Sequence, residues 1–140
     1  MSVLQLAVFI ENKPGRLFEA TKILGDAGVN IRGFSISDTE DYGIFRILVN
    51  DPTLARKILR DSGFMVHESQ VTVIGLDDVP GGLSKTLTSL ATLNINIEYI
   101  YIIMCSYIAI GVENEQKEFA EKALTDLGVK VLTDEDIINL

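Results

Sequence analysis

The chain has 140 residues, 47% hydrophobic and 23% charged, the composition of a folded globular protein with a real core. Its net charge of −8 repels phosphate backbones and anionic lipid surfaces, so no nucleic acid and no membrane is expected as a partner. The single cysteine, Cys105, excludes an intramolecular disulfide and suits a reducing compartment. Its apolar neighbours Ile102, Ile103 and Met104 predict a packed thiol, with no positive group to activate it.

In chain order, Met1 to Leu6 lacks the basic start and small-residue cleavage site of a signal peptide, which makes the cytoplasm the expected location. Val3 to Ile10 reads as a strand. Pro14 is then expected at the first position of a helix, where a missing N–H is harmless. Leu17, Ala20, Leu24 and Ala27 give that helix one apolar stripe, and Gly28 ends it. Asn30 to Ser37 alternates as a strand does. A turn at Asp38-Thr39-Glu40-Asp41 leads to a strand over Gly43 to Val49. Asp51 caps a second helix opened by Pro52, with Leu54, Ile58 and Leu59 inward and Gly63 as its stop. Phe64 to Val66 is a short fourth strand.

The order then repeats. Val71 to Leu76 is a strand, Pro80 to Leu93 a helix and Ile95 to Ile103 a strand. Tyr107 to Val112 is a strand, Glu115 to Leu127 a helix and Val129 to Leu132 the last strand, before a helical turn at Asp134 to Ile138. The run from Ile95 to Val112 is broken by Asn96, Glu98 and Ser106, so it reads as two strands and not as a membrane span. A shift of 66 residues aligns Pro14 with Pro80, Gly15 with Gly81, Leu17 with Leu83, Leu24 with Leu90, Asn30 with Asn96 and Ile31 with Ile97. Six identities in 18 positions exceed the roughly one expected from residue usage. The sequence therefore predicts two α+β domains, residues 1–69 and 70–140, each a ferredoxin-like βαββαβ unit. Each is expected to have a four-stranded antiparallel sheet with its helices on one face. Domains this small are expected to pack together or dimerise.

The segment Glu11-Asn12-Lys13-Pro14-Gly15-Arg16-Leu17, followed by Ala27-Gly28-Val29-Asn30-Ile31, resembles the signature of ACT domains. Asp78-Val79-Pro80-Gly81-Gly82-Leu83 with Asn94-Ile95-Asn96-Ile97 is similar, with Asp in place of Asn. The resemblance covers nearly the whole chain and implies a stand-alone tandem ACT protein. It further implies a regulatory or sensing module that binds a free amino acid at ACT–ACT interfaces, beside the turn before the first helix. A homodimer, and a metabolic enzyme regulated in trans, are the protein partners this suggests. Carried over, Asn12 and Asn30 match the ligand-contacting asparagines, and Asp78 and Asn96 hold the same places in the second copy. Around them Gly15, Arg16, Leu17, Ile31, Gly81, Gly82, Leu83 and Ile97 complete the candidate ligand-binding set.

The residues themselves fit a zwitterion. A helix N-terminus offers N–H donors and partial positive charge to a carboxylate. Gly15 and Gly81 let a ligand approach the backbone. Asn12 or Asp78 can accept from an ammonium, and Asn30 or Asn96 can both donate and accept. The charge on Asp78 predicts two sites of unequal affinity. The same residues also fit plain turn chemistry, since Asn and Asp favour local hydrogen bonds before and after helices. The purely structural reading, an assembly module without ligand, therefore stands beside the binding one.

Other chemistry is thin. His67 is the only histidine, and a surface position after the fourth strand is expected for it. The acidic groups at Asp38, Glu40 and Asp41 and at Asp134 to Asp136 read as solvated turns. Gly81-Gly82 lacks the lysine of a phosphate-binding loop. Tyr99, Tyr101 and Tyr107 read as interface packing, with an aromatic ligand wall as the alternative. No nucleophile–base constellation is visible, so an enzyme is not expected, and neither a cofactor nor a metal is implied.

Overall fold

The computed structural model describes residues 2–38, 41–104 and 106–140, with only the backbone of Asp38. The expected turn at Thr39-Glu40 and the expected packing of Cys105 lie outside the described residues. The elements are β1 (Val3–Glu11), α1 (Arg16–Asp26), β2 (Ile31–Asp38), β3 (Tyr42–Val49), α2 (Pro52–Asp61), β4 (Met65–Gly75), α3 (Gly82–Thr92), β5 (Ile97–Ile103), β6 (Tyr107–Val112), α4 (Asn114–Asp126) and α5 (Asp134–Ile138). Among the described residues no helix is long and apolar enough to cross a membrane.

Two compact units result. One holds Leu4–Ser69 with Ile137–Leu140, and the other holds Gln70–Asp136 with Ser2 and Val3. In the first unit β3 pairs antiparallel with both β1 and β2. Alternate residues Leu6, Val8 and Ile10 of β1 and Phe45, Ile47 and Val49 of β3 point to one face, as the period of two requires. Ala20 and Leu24 of α1 and Ala55 and Leu59 of α2 close on that face, so both helices lie on the same side of the sheet. Burying a leucine such as Leu24 contributes about 2–3 kcal/mol.

The second unit repeats the plan with β6 paired to β4 and to β5. Its core joins Ile74, Ile108, Ile110 and Val112 to Leu90 of α3 and to Ala120 and Leu124 of α4. Leu24 and Leu90, which the repeat aligns, are both buried. A register shift stands at the same place in the two copies, between Ile31 and Gly33 of β2 and between Ile97 and Tyr99 of β5.

Two features depart from the sequence reading. The fourth strand of the first copy and the first strand of the second are one unbroken strand, β4, because no turn-forming Gly, Pro, Asn or Asp falls between Val66 and Gly75. The strand expected over Val129 to Leu132 is a single bridge between Ile74 and Val131, flanked by bonds from Gly75 N–H to Lys130 O (2.9 Å) and Leu132 N–H to Val73 O (2.8 Å). It stops there because α5 begins with a capping box. Thr133 N–H donates to Asp136 Oδ2 at 2.8 Å, and Asp136 N–H donates to Thr133 Oγ1 at 3.2 Å. Among the described residues the ladders β1–β3–β2 and β4–β6–β5 thus join three strands in each copy, where the sequence reading has four.

Candidate functional site

The turns before α1 and α3 are built alike, bond for bond. Lys13 N–H donates to Glu11 O at 2.8 Å and Arg16 N–H to Lys13 O at 3.4 Å; Val79 N–H donates to Asp77 O at 2.9 Å and Gly82 N–H to Val79 O at 3.0 Å. Gly15 and Gly81 stand at φ 86° and 83°, the left-handed region, so each Pro-Gly pair is the centre of a type II turn. This corrects the expected helix starts at Pro14 and Pro80. A left-handed glycine cannot be helical, so α1 opens at Arg16 and α3 at Gly82, with the glycines as N-caps. The apolar stripe of α1 is also shorter than expected: Leu17 and Ala27 are exposed, while Ala20 and Leu24 are buried.

A glycine cap has no side chain to satisfy the first N–H groups of the helix, and neither helix has a side-chain cap bond. Asn12 sits exposed ahead of α1, its N–H donating to Asp41 O at 3.0 Å. A shallow pocket of about 340 Å³ lies there, lined by Glu11, Asn12, Lys13, Asp41 and Tyr42. The Lys13 ammonium, 2.9 Å from the Glu11 carboxylate, holds that carboxyl below the usual carboxylate range, first through its hydrogen bond and then through its charge. Asp78, at the equivalent place in the second copy, is also exposed.

Asn30 stands elsewhere. Its N–H donates to Asn50 Oδ1 at 2.8 Å and its carbonyl accepts from Asn50 N–H at 3.1 Å, which anchors the start of β2. Glu11 lies opposite Tyr42 on β3 and Ile31 lies opposite Val49, seven residues along the same strand. At roughly 3.4 Å per residue, the Asn12 and Asn30 ends of the sheet are about 24 Å apart. The structure therefore groups Asn12, Gly15, Arg16 and Leu17 at one end of the first copy and puts Asn30 and Ile31 at the other. The second copy does the same with Asp78, Gly81, Gly82 and Leu83 against Asn96 and Ile97, since Gly75 faces Tyr107 on β6 and Ile97 faces Val112.

Sequence reasoning missed a larger feature. A cleft of about 650 Å³ opens beside the second turn, lined among others by Asp77, Gly82, Lys85, Ser89, Tyr107 and Lys130. Its signal lay in the repeat itself, in residues that differ between the copies and not in those that match. Of the three tyrosines singled out, Tyr107 lines this cleft under the Lys130 ammonium, 5.8 Å from its ring centre. Tyr99 and Tyr101 instead stack on each other at 6.5 Å. His67 is exposed.

Comparison with known proteins agrees with this architecture. The family model described as an ACT domain pair matches residues 1–139. A crystal structure of a protein from Bacteroides thetaiotaomicron is 34% identical with a TM-score of 0.91, covering 100% of this chain and 98% of that one. The ligand-free regulatory subunit of aspartate kinase from Thermus thermophilus is 18% identical with a TM-score of 0.61, over 88% of this chain and 90% of that one. Aspartate kinase from Clostridium acetobutylicum is 19% identical with a TM-score of 0.54, over 89% of this chain and 33% of that one. At those identities the likeness to the kinases is one of fold. No curated protein matches the chain. On the family match over nearly its full length and on the Bacteroides relative, the chain belongs to the ACT domain pair family.

Proposed function

We propose that this protein is a regulatory module that binds a free amino acid beside the turns ahead of α1 and α3, at ACT–ACT interfaces, and acts on a partner enzyme. The observation that carries this is the twice-built type II turn with its glycine cap. It leaves the first N–H groups of each helix without a side-chain cap, next to Asn12 in one copy and Asp78 in the other. Those donors suit a carboxylate, and the neighbouring Asn or Asp oxygens suit an ammonium. A ligand that prefers one arrangement of the ACT copies, residues 1–69 and 70–140, would shift the population toward it and so signal to a partner. The four-stranded sheet of each copy, with β4 shared and the last strand pared to a bridge, belongs to the same reading. The test is thermal unfolding in the presence of each standard amino acid near millimolar concentration. One or more should raise the melting temperature, and Asn12→Ala or Asp78→Ala, at exposed positions beside the turns, should reduce the rise with the fold intact. No rise with any of them overturns the reading.

A second reading has its own support. Phe34 and Ile36 on β2, and Ile100 and Ile102 on β5, are exposed apolar residues, Ile102 to 71%. Such strips suit assembly with another copy of the chain or with a partner. Oligomers by light scattering that are indifferent to every amino acid would favour this reading.

A further inference from the structure

The residue that opens the first helix of each copy differs, and so does the space beside it. Arg16 is half-buried and its guanidinium lies 4.3 Å from the Phe64 ring centre while pairing with Glu19 at 2.7 Å. The cleft it lines, with Phe9, Glu11, Tyr42, Gly63 and Met65, measures about 380 Å³. In the second copy this position is Gly82, buried, where an added Cβ would collide with the Asp77 carbonyl oxygen. No side chain fits there, and the cleft opens to about 650 Å³.

Five more positions that line the second copy's cleft differ from their counterparts in the first, while Asp77 keeps the acid of Glu11 and Gly128 the glycine of Gly63. By the 66-residue shift Phe9 becomes Gly75, Glu19 becomes Lys85, Ala20 becomes Thr86 and Ile23 becomes Ser89, and across the one-residue deletion Met65 becomes Lys130. Phe9 has given way to a glycine, and the other four groups to two hydroxyls and two ammonium groups, in a chain whose net charge is −8. At two of these positions, Ala20 and Ile23, the first copy packs an apolar side chain where the second carries a hydroxyl.

We infer that the second copy's cleft is a ligand site in its own right, taking a small organic acid that carries O–H or N–H donors of its own. Lys85 and Lys130 supply the cations for the acid group; among the described residues neither has a carboxylate within 4 Å, although Lys130 also acts on the Asp136 carboxylate at longer range. Thr86 and Ser89 donate their hydroxyl protons to the helix, to Gly82 O at 3.4 Å and Lys85 O at 3.2 Å, which leaves their oxygens as acceptors for the ligand's donors. Asp77, which also lines the cleft, adds one more acceptor. In the first copy Arg16 lines a smaller cleft of about 380 Å³ that has neither lysine. The inference rests on the small-molecule-binding reading above for the kind of ligand and adds the place and the copy.

Calorimetric titration of the full chain tests it, with the standard amino acids as one arm and lactate and malate as the other. Lys85→Glu and Ser89→Ile each install the first copy's residue, and Lys85 is exposed, so its variant keeps the fold. Each should weaken binding roughly tenfold or more, the loss of one charge-assisted or well-placed hydrogen bond, while Lys57→Ala, exposed on α2 of the first copy, leaves it unchanged. Binding that is unaltered in both cleft variants overturns the site. If it is instead lost in Asn12→Ala, the cleft falls while the amino-acid reading stands. If no acid of either arm binds the wild-type chain, both fall.

Discussion

The Tyr99 ring occupies the space that a side chain on Gly111 would need: the two residues pair across β5 and β6, and a Cβ built on Gly111 would fall within the ring. Gly111→Ala must therefore push Tyr99 off its stack with Tyr101. The expected loss is about 1–3 kcal/mol by urea unfolding. In a double-mutant cycle, Tyr99→Ala should recover part of it, and a strictly additive pair would refute the contact.

Asp51 Oδ1 accepts from Leu54 N–H at 3.1 Å, with Pro52 at the first helical position. Asp51→Ala should destabilise the chain by about 1 kcal/mol, and Asp51→Ser by much less, since serine caps by the same bond. Chemical denaturation of the two variants checks the ranking.

Asn94 ends α3 at φ 57°, where the first copy places Gly28 at φ 79°. Asparagine tolerates the left-handed region, but glycine does so without a Cβ penalty. Asn94→Gly should raise stability by up to about 1 kcal/mol, and Asn94→Ala should lower it by a similar amount. Melting temperatures of the pair decide it.

The Asp136 carboxyl is held below the ordinary aspartate range, first by the backbone N–H of Thr133 and then by its hydroxyl. The folded pKa is depressed, so the unfolded chain binds the proton more readily. The carboxylate's contribution is complete above the unfolded value and is lost as pH falls through the folded one. Melting temperature should therefore drop between about pH 5 and pH 2, and Asp136→Asn should flatten part of that slope. An unchanged slope would remove the capping box from the account.

The type and order of most elements were legible in the sequence, because they follow from local chemistry. Pro52 after Asp51 starts a helix, Gly63 and Gly128 stop helices, and alternation marks Val3 to Ile10 as a strand. The repeat was legible too, since an offset of 66 needs no structure. What misled was also local: Pro14 and Pro80 suit the first position of a helix equally well as the second position of a type II turn. Only the left-handed φ of Gly15 and Gly81 decides between them.

The candidate site divides the same way. Sequence alone determined that Asn12, Gly15 and Asn30 recur as Asp78, Gly81 and Asn96. Tertiary structure decided that the first and last of each set lie at opposite ends of a sheet, because two parallel-running strands pair with one strand between them. It also decided that Gly82, which the 66-residue shift sets against Arg16, borders a polar cleft. The physical reason is that a cleft is defined by what fails to fill it, and that depends on neighbours such as Lys130 and Ser89, which are distant in sequence and adjacent only once the chain has folded.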